Sequence, residues 1–177
     1  MELWDLYDES RSLTGETMVR GDPVPAGRYH LVVHICVFNS KGEMLIQHRQ
    51  PFKQGWSDMW DVTVGGSVSS GENSQLGAHR ELLEEIGLSA DFSGKAPDLS
   101  ITFPDGFDDI YILEQDVDTG ALSLQYEEVK EVKWATRDDI FAMIDSGEFI
   151  PYHKAFIDFL FFRRRNNGTR DRGTQSI

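Results

Sequence analysis

The chain has 177 residues, 40% of them hydrophobic and 27% charged, which suits one domain whose core needs no covalent staples. A formal net charge of -13 opposes a nucleic-acid phosphate backbone but suits divalent cations and keeps the protein soluble. The single cysteine, Cys36, excludes an intrachain disulfide, and no stretch approaches the ~20 apolar residues of a membrane span.

The opening MELWDLYDES has neither the basic region nor the apolar run of a signal peptide, so a cytoplasmic location is expected. Residues 1–27 carry Gly15, Gly21, Pro23, Pro25 and Gly27, the signals of a short hairpin and an irregular lead-in. His30 to Phe38, HLVVHICVF, reads as a buried strand in which Cys36 is a small hydrophobe. Asn39-Ser40-Lys41-Gly42 is a turn, and Met44 to His48 returns as the second strand of a hairpin. A polar and aromatic loop at 50–59 leads to a short strand, Trp60 to Val64, ending at Gly65-Gly66. A helix follows, capped by Asn73 or Ser74 and closed by Gly87. Strands are expected at Ile101–Phe103, Ile110–Val117 and Val129–Trp134. A second helix starts near Asp138 behind a Thr136–Asp139 box and stops at Gly147; a third has Pro151 in its first turn and runs through Phe162. From Arg163 the chain is a polar tail, read as a solvated end. Strands interleaved with helices in this order indicate an α/β (α+β) layer structure with a mixed sheet.

The chemistry is concentrated in Gly66 to Leu88, GSVSSGENSQLGAHRELLEEIGL. On a helix, Glu81, Glu84 and Glu85 stand at i, i+3 and i+4 and share one arc, with Leu76, Leu82, Leu83 and Ile86 on the other side. Three carboxylates that close repel one another, and a hard cation with oxygen ligands compensates. Alone, they read first as a solvated face; their neighbours reverse that reading. Gly66, Glu72, Arg80, Glu81, Leu82, Glu84, Glu85, Gly87 and Leu88 resemble, without departure, the signature of the Nudix (MutT-like) family. A chance match in a chain this long has odds on the order of one in ten million, which sets this signal well above an isolated glycine motif.

The resemblance implies a single domain over 1–177, folded as an α/β/α sandwich around a central mixed sheet, with the signature at 66–88. It implies a pyrophosphatase that uses Mg²⁺, with Mn²⁺ as the substitute, to hydrolyse a small-molecule diphosphate. Glu81, Glu84 and Glu85, with the carbonyl of Gly65, match metal ligands, and Glu84 and Glu85 are the catalytic carboxylates among them. Gly66 and Gly87 match the glycines that let the loop–helix–loop close, and Arg80 matches an arginine that pairs with Glu72 and orients the carboxylates. Glu128, with Glu127 as rival, resembles a downstream glutamate that serves as general base or further ligand. Trp60 and Tyr111 are aromatic candidates for substrate contact. Homodimers occur among the proteins resembled, although the residues carry no interface signal of their own.

Two other readings stay open. WDLYDE near the start and His30 resemble the isopentenyl-diphosphate-isomerase-like branch of this fold, where a histidine is a metal ligand; His30 and His34 otherwise read as hydrogen-bonded strand residues. That branch places cysteine and histidine where this chain has Gly65-Gly66-Ser67-Val68, and its helix signature is degraded, so hydrolysis is expected over isomerisation. The third reading is a ligand-binding module that keeps the fold without turnover.

Overall fold

The computed structural model describes residues 2–165. Its elements are, in chain order, β1 (Leu3–Tyr7), β2 (Leu13–Val19), β3 (His30–Phe38), β4 (Met44–Arg49), β5 (Trp60–Asp61), β6 (Val64–Ser67) and α1 (Ser74–Ile86). There follow β7 (Leu99–Phe103), β8 (Gly106–Glu114), β9 (Val129–Ala135), α2 (Arg137–Ser146) and α3 (Lys154–Arg165), with a short 3-10 turn at Thr119–Ala121. β1 and β2 form the expected N-terminal hairpin. The seven remaining strands share one sheet, ordered β5-β4-β3-β8-β7, with β6 on β3 and β9 on β4. The sheet is mixed: most ladders are antiparallel. β3 and β8 run parallel, because the His30 N–H donates to Asp105 at one end and the Gln115 N–H to Phe38 at the other. A parallel neighbour needs a long crossover, and α1 lies within it. The α+β class expected from the sequence is the one found.

The described residues form two compact units. The first comprises residues 2–35, 64–111 and 122–125. In its part of β3, Leu31, Val33 and Ile35 are buried while Val32 and His34 are half-exposed, the period of two of a one-sided strand. α1 packs on β6, with Leu82 and Ile86 fully buried, each stabilising by about 1.5–3 kcal/mol. Approach is close enough that a Cβ on Gly77 would stand 2.7 Å from Val68.

His30 in this unit is buried, stacked on Trp4 at 4.3 Å and edge-on to Phe103 at 5.6 Å, and its Nδ1 has no hydrogen-bond partner among the described residues. Burial, offset in part by the charge of Asp105, holds its pKa below the ordinary 6.5. The unfolded chain therefore takes up this proton first, and stability is lost as pH falls below about 6.5. Melting temperatures between pH 7 and 5 should fall more steeply in wild type than in His30→Phe, which keeps the stack; equal slopes would show that His30 titrates as in the unfolded chain.

The second unit comprises, among the described residues, 36–63, 112–121 and 126–165. Cys36, Phe38, Met44, Leu45 and Ile46 lie in its core with Ile140, Phe149, Ile157 and Leu160. α2 is closed at both ends by local chemistry: Thr136 and Asp139 form the expected capping box, and Gly147 takes the left-handed conformation at φ 78°. α3 starts three residues after Pro151 and runs past Phe162 to Arg165. Arg164 is drawn into the fold by Glu114 at 3.6 Å and by the Phe38 ring at 5.6 Å. The polar tail thus begins inside the helix, and residues 166–177 lie outside the described residues.

Several strand boundaries differ from expectation: β7 begins at Leu99 rather than Ile101, β8 ends at Glu114 rather than Val117, and two further differences have a local cause. Trp60–Val64 is not one strand: β5 ends at Asp61 and β6 begins at Val64. Between them the buried Thr63 hydroxyl donates to the Leu45 carbonyl and accepts from the Val37 N–H, replacing ladder bonds. β8 begins at Gly106 instead of Ile110, because Phe103 and Gly106 close a tight hairpin in which a Cβ on Gly106 would collide with the Phe103 ring and the His30 carbonyl. No helix among the described residues is long and apolar enough to cross a membrane.

Candidate active site

α1 owes its boundaries to its ends. The Asn73 side chain accepts from the Leu76 N–H at 2.9 Å, satisfying one of the orphan donors of the first turn. Gly87 adopts φ 71° and its N–H donates back to Leu83. A Cβ there would also stand 2.9 Å from Ser123, so glycine is required by conformation and by space.

The glutamates of this helix do not project as one exposed cluster. Glu84 is half exposed, the Glu81 side chain is 12% exposed and Glu85 is buried. The buried face consists of Gly77, Ala78, Leu82, Glu85 and Ile86, while Leu76 and Leu83, expected to be inside, are 54% and 46% exposed. Among the described residues, no three His, Cys, Asp or Glu side chains stand together as a metal-binding group.

Arg80 ties the segment together. Its guanidinium donates to Glu72 through Nε at 2.9 Å and Nη2 at 3.0 Å, to the Ser67 carbonyl at 3.0 Å, to Glu81 at 2.9 Å and to Glu84 at 3.2 Å. Glu72 in turn accepts from the Ser69 N–H at 3.1 Å. Burial pulls the Arg80 pKa down, but the hydrogen bond to Glu72 and the charge of Glu81 hold it above the usual arginine range. Glu81 lies above the usual carboxylate range through burial, which Arg80 offsets in part and Glu84 reinforces.

The two glycines of β6 are required by what lies on them. A Cβ on Gly66 would fall 2.2 Å from the Glu81 carboxyl carbon, and one on Gly65 2.5 Å from the His34 ring. Both glycines lie within β6, paired with Val33 and His34 of β3, not after the strand as the sequence suggests. His34 is fixed by Asp108, which meets its Nδ1 at 2.8 Å; no local signal points to that long-range pair. Tyr111 is fully buried, its hydroxyl sharing a 2.7 Å hydrogen bond with Ser74 and its ring edge-on to Phe92, so it offers no face to a ligand. The donor set fits a hard divalent cation in kind: three carboxylates on adjoining turns, one cradled on a glycine where any side chain would displace it.

In the second unit, Glu128 is half-buried and ion-paired with Lys53, whereas Glu127 is exposed. Trp60 is 8% exposed, stacked on His48 at 4.7 Å with the Lys133 ammonium 4.0 Å from its ring centre; its ring is already partnered.

Comparison with known proteins gives these features a family. The NUDIX domain model matches residues 28–167. An uncharacterised Nudix hydrolase of Listeria monocytogenes is 46% identical over 161 residues, covering 91% of this chain and 94% of that one. A crystal structure from Deinococcus radiodurans superposes with a TM-score of 0.71 at 26% identity, over 93% of this chain and 100% of that one. A bifunctional NMN adenylyltransferase/ADP ribose pyrophosphatase of Francisella tularensis, solved with AMP and manganese, gives 0.58 at 18% identity, over 77% of this chain and 42% of that one. With a complete signature, a family model spanning most of its length and a close relative matched nearly end to end, the chain belongs to the Nudix hydrolases, enzymes that act on pyrophosphate bonds.

Proposed function

We propose that this chain is a Mg²⁺-dependent hydrolase, for which Mn²⁺ can substitute, cleaving the diphosphate linkage of a small nucleoside-diphosphate-like or other phosphorylated metabolite in the cytoplasm. The observation that carries the reading is the cradling of the Glu81 carboxylate on Gly66, with Arg80 joining it to Glu72 and Glu84. Glu81, Glu84, Glu85 and the Gly65 carbonyl are the groups we assign to the cation. A divalent ion held there supplies neutralisation of the diphosphate oxygens and a more acidic water. Arg80 and Glu72 set the direction of the carboxylates without touching substrate. Glu128, ion-paired with Lys53 in the second unit, is our candidate for a general base.

Support for hydrolysis over isomerisation comes from Gly65-Gly66-Ser67-Val68, which leaves no thiol where the isomerase-like branch has one; Cys36, the single cysteine, is buried. The test is incubation with Mg²⁺ and a panel of nucleoside diphosphate sugars, dinucleoside polyphosphates, nucleoside triphosphates and isopentenyl diphosphate, following phosphate products. Phosphate-bearing products that vanish with EDTA and return with Mg²⁺ or Mn²⁺ are expected. Rearrangement of isopentenyl diphosphate without phosphate release, or binding without turnover, would overturn the reading.

A further inference from the structure

The N-terminal hairpin precedes the residues matched by the family model, yet within its own unit it grips the signature loop. Ser69 to Glu72 is a tight turn. The Glu72 N–H donates to the Ser69 carbonyl at 3.0 Å and Gly71 stands at φ 86°, the positive value that the third position of a type II turn requires. β1 holds this turn at three points. The Leu3 carbonyl accepts from the Ser70 N–H at 2.7 Å, and the Asp5 carboxylate accepts from the Ser70 hydroxyl at 2.6 Å and from the Gly71 N–H at 2.8 Å. The β1–β2 ladder shifts register between Asp5 and Tyr7, an irregularity of the kind that re-aims a side chain. The hairpin is itself anchored. Leu6 and Met18 are buried, Tyr7 and Tyr29 exchange backbone hydrogen bonds at 2.8 and 3.0 Å, and Arg11, in the loop joining β1 to β2, is ion-paired with the buried Asp109.

From the held turn a chain of hydrogen bonds runs to the carboxylates of α1. Glu72 accepts from the Ser69 N–H at 3.1 Å and from Arg80 at 2.9 Å, and Arg80 donates onward to Glu81 at 2.9 Å and Glu84 at 3.2 Å. Burial raises the Glu81 pKa, and Arg20, just beyond β2, is among the charges that pull it back, so the far end of the hairpin is also within electrostatic reach. We propose that Asp5 is a positioning residue: by fixing Ser70 and Gly71 it sets Glu72, and through Arg80 the directions of Glu81 and Glu84 toward a divalent cation. With the turn loosened, the ion has to order these carboxylates as it binds, and its affinity falls accordingly. Once bound it holds them itself, so the loss appears in metal affinity and not in kcat at saturating metal. That consequence rests on the cation assignment proposed above.

The test is a titration with Mn²⁺ alone, reading the free ion by its paramagnetic resonance signal, beside melting temperatures and amide hydrogen exchange measured in EDTA. Asp5→Ala should weaken Mn²⁺ binding about tenfold and speed exchange of the Gly71 N–H. Asp5→Asn should restore most of both, because its amide oxygen can accept from Gly71 while its NH₂ donates to the Ser70 hydroxyl. Thr14→Val removes a 2.8 Å hydrogen bond to the Leu6 carbonyl elsewhere in the hairpin; it should lower the melting temperature and leave Mn²⁺ affinity unchanged. Unaltered affinity in Asp5→Ala overturns the proposal. So does equal weakening in Thr14→Val, which would make hairpin stability the whole effect, or an asparagine variant no better than alanine, which would make charge the cause. A wild type that binds no Mn²⁺ would overturn the cation assignment and with it the role of Asp5 toward the ion, whereas exchange in EDTA would still read its grip on the turn.

Discussion

Glu84→Gln and Glu85→Gln should each lower kcat a hundredfold or more while the protein stays folded. Glutamine keeps the shape of glutamate and removes the charge that a divalent cation needs. A hundredfold is about 2.7 kcal/mol of transition-state stabilisation, at 1.36 kcal/mol per factor of ten. The two positions differ in what else they do, which makes the pair informative. Glu84 is half exposed and accepts from Arg80 at 3.2 Å, so its loss should leave the melting temperature nearly unchanged. Glu85 is buried, and its backbone carbonyl accepts from the Gln125 N–H at 2.8 Å. Its amide variant keeps the shape of the buried side chain and leaves that backbone hydrogen bond in place. If kcat falls in step with the melting temperature in both variants, the carboxylates are structural and the assignment to the cation fails. If both variants turn over normally while folded, it fails outright.

Much of α1 and α2 was legible because their ends are decided locally. Asn73, Gly87, Thr136, Asp139 and Gly147 act on backbone groups within four residues, and a linear sequence contains that information. The burial of Glu85 did not follow from the same helix. A helical wheel puts it in an arc with Glu81, but which part of the arc is covered depends on what packs there. The exposed Leu76 and Leu83 show the apolar face turned from where residue types alone place it. Gly65 and Gly66 read as a strand end because glycine usually weakens strands. Here they lie inside β6, since His34 and Glu81 need the space that a Cβ would fill. The Arg80–Glu72 pair follows from the family pattern. The further reach of Arg80 to Ser67 and the His34–Asp108 pair join residues that no local rule brings together. The two aromatic candidates, Tyr111 and Trp60, are both taken up by packing.

Arg80→Ala should be the most destabilising substitution in the signature, by about 3 kcal/mol. One side chain supplies hydrogen bonds to Glu72, Glu81, Glu84 and the Ser67 carbonyl, and it is only 25% exposed. Without it the mostly buried Glu81 carboxylate keeps only the more distant charge of Arg20, and the Ser67 carbonyl loses a donor. At 2–4 °C per kcal/mol for a chain of this size, the melting temperature should drop by roughly 10 °C in EDTA. Arg80→Lys should recover a minority of that loss, since an ammonium cannot span Glu72 and Glu81 as the planar guanidinium does. The deficit should also depend on pH in a definite direction. Burial already holds the Glu81 pKa above its ordinary value, and removing Arg80 raises it further. A carboxyl whose folded-state pKa is raised destabilises the fold only when ionised, so that penalty is relieved as pH falls through the folded value. The variant should therefore lose more stability relative to wild type at pH 8 than at pH 5. A deficit that is constant across this range would mean that Arg80 stabilises through packing of its stem and its contact with Ser67, and that Glu81 carries no buried charge for a cation to meet.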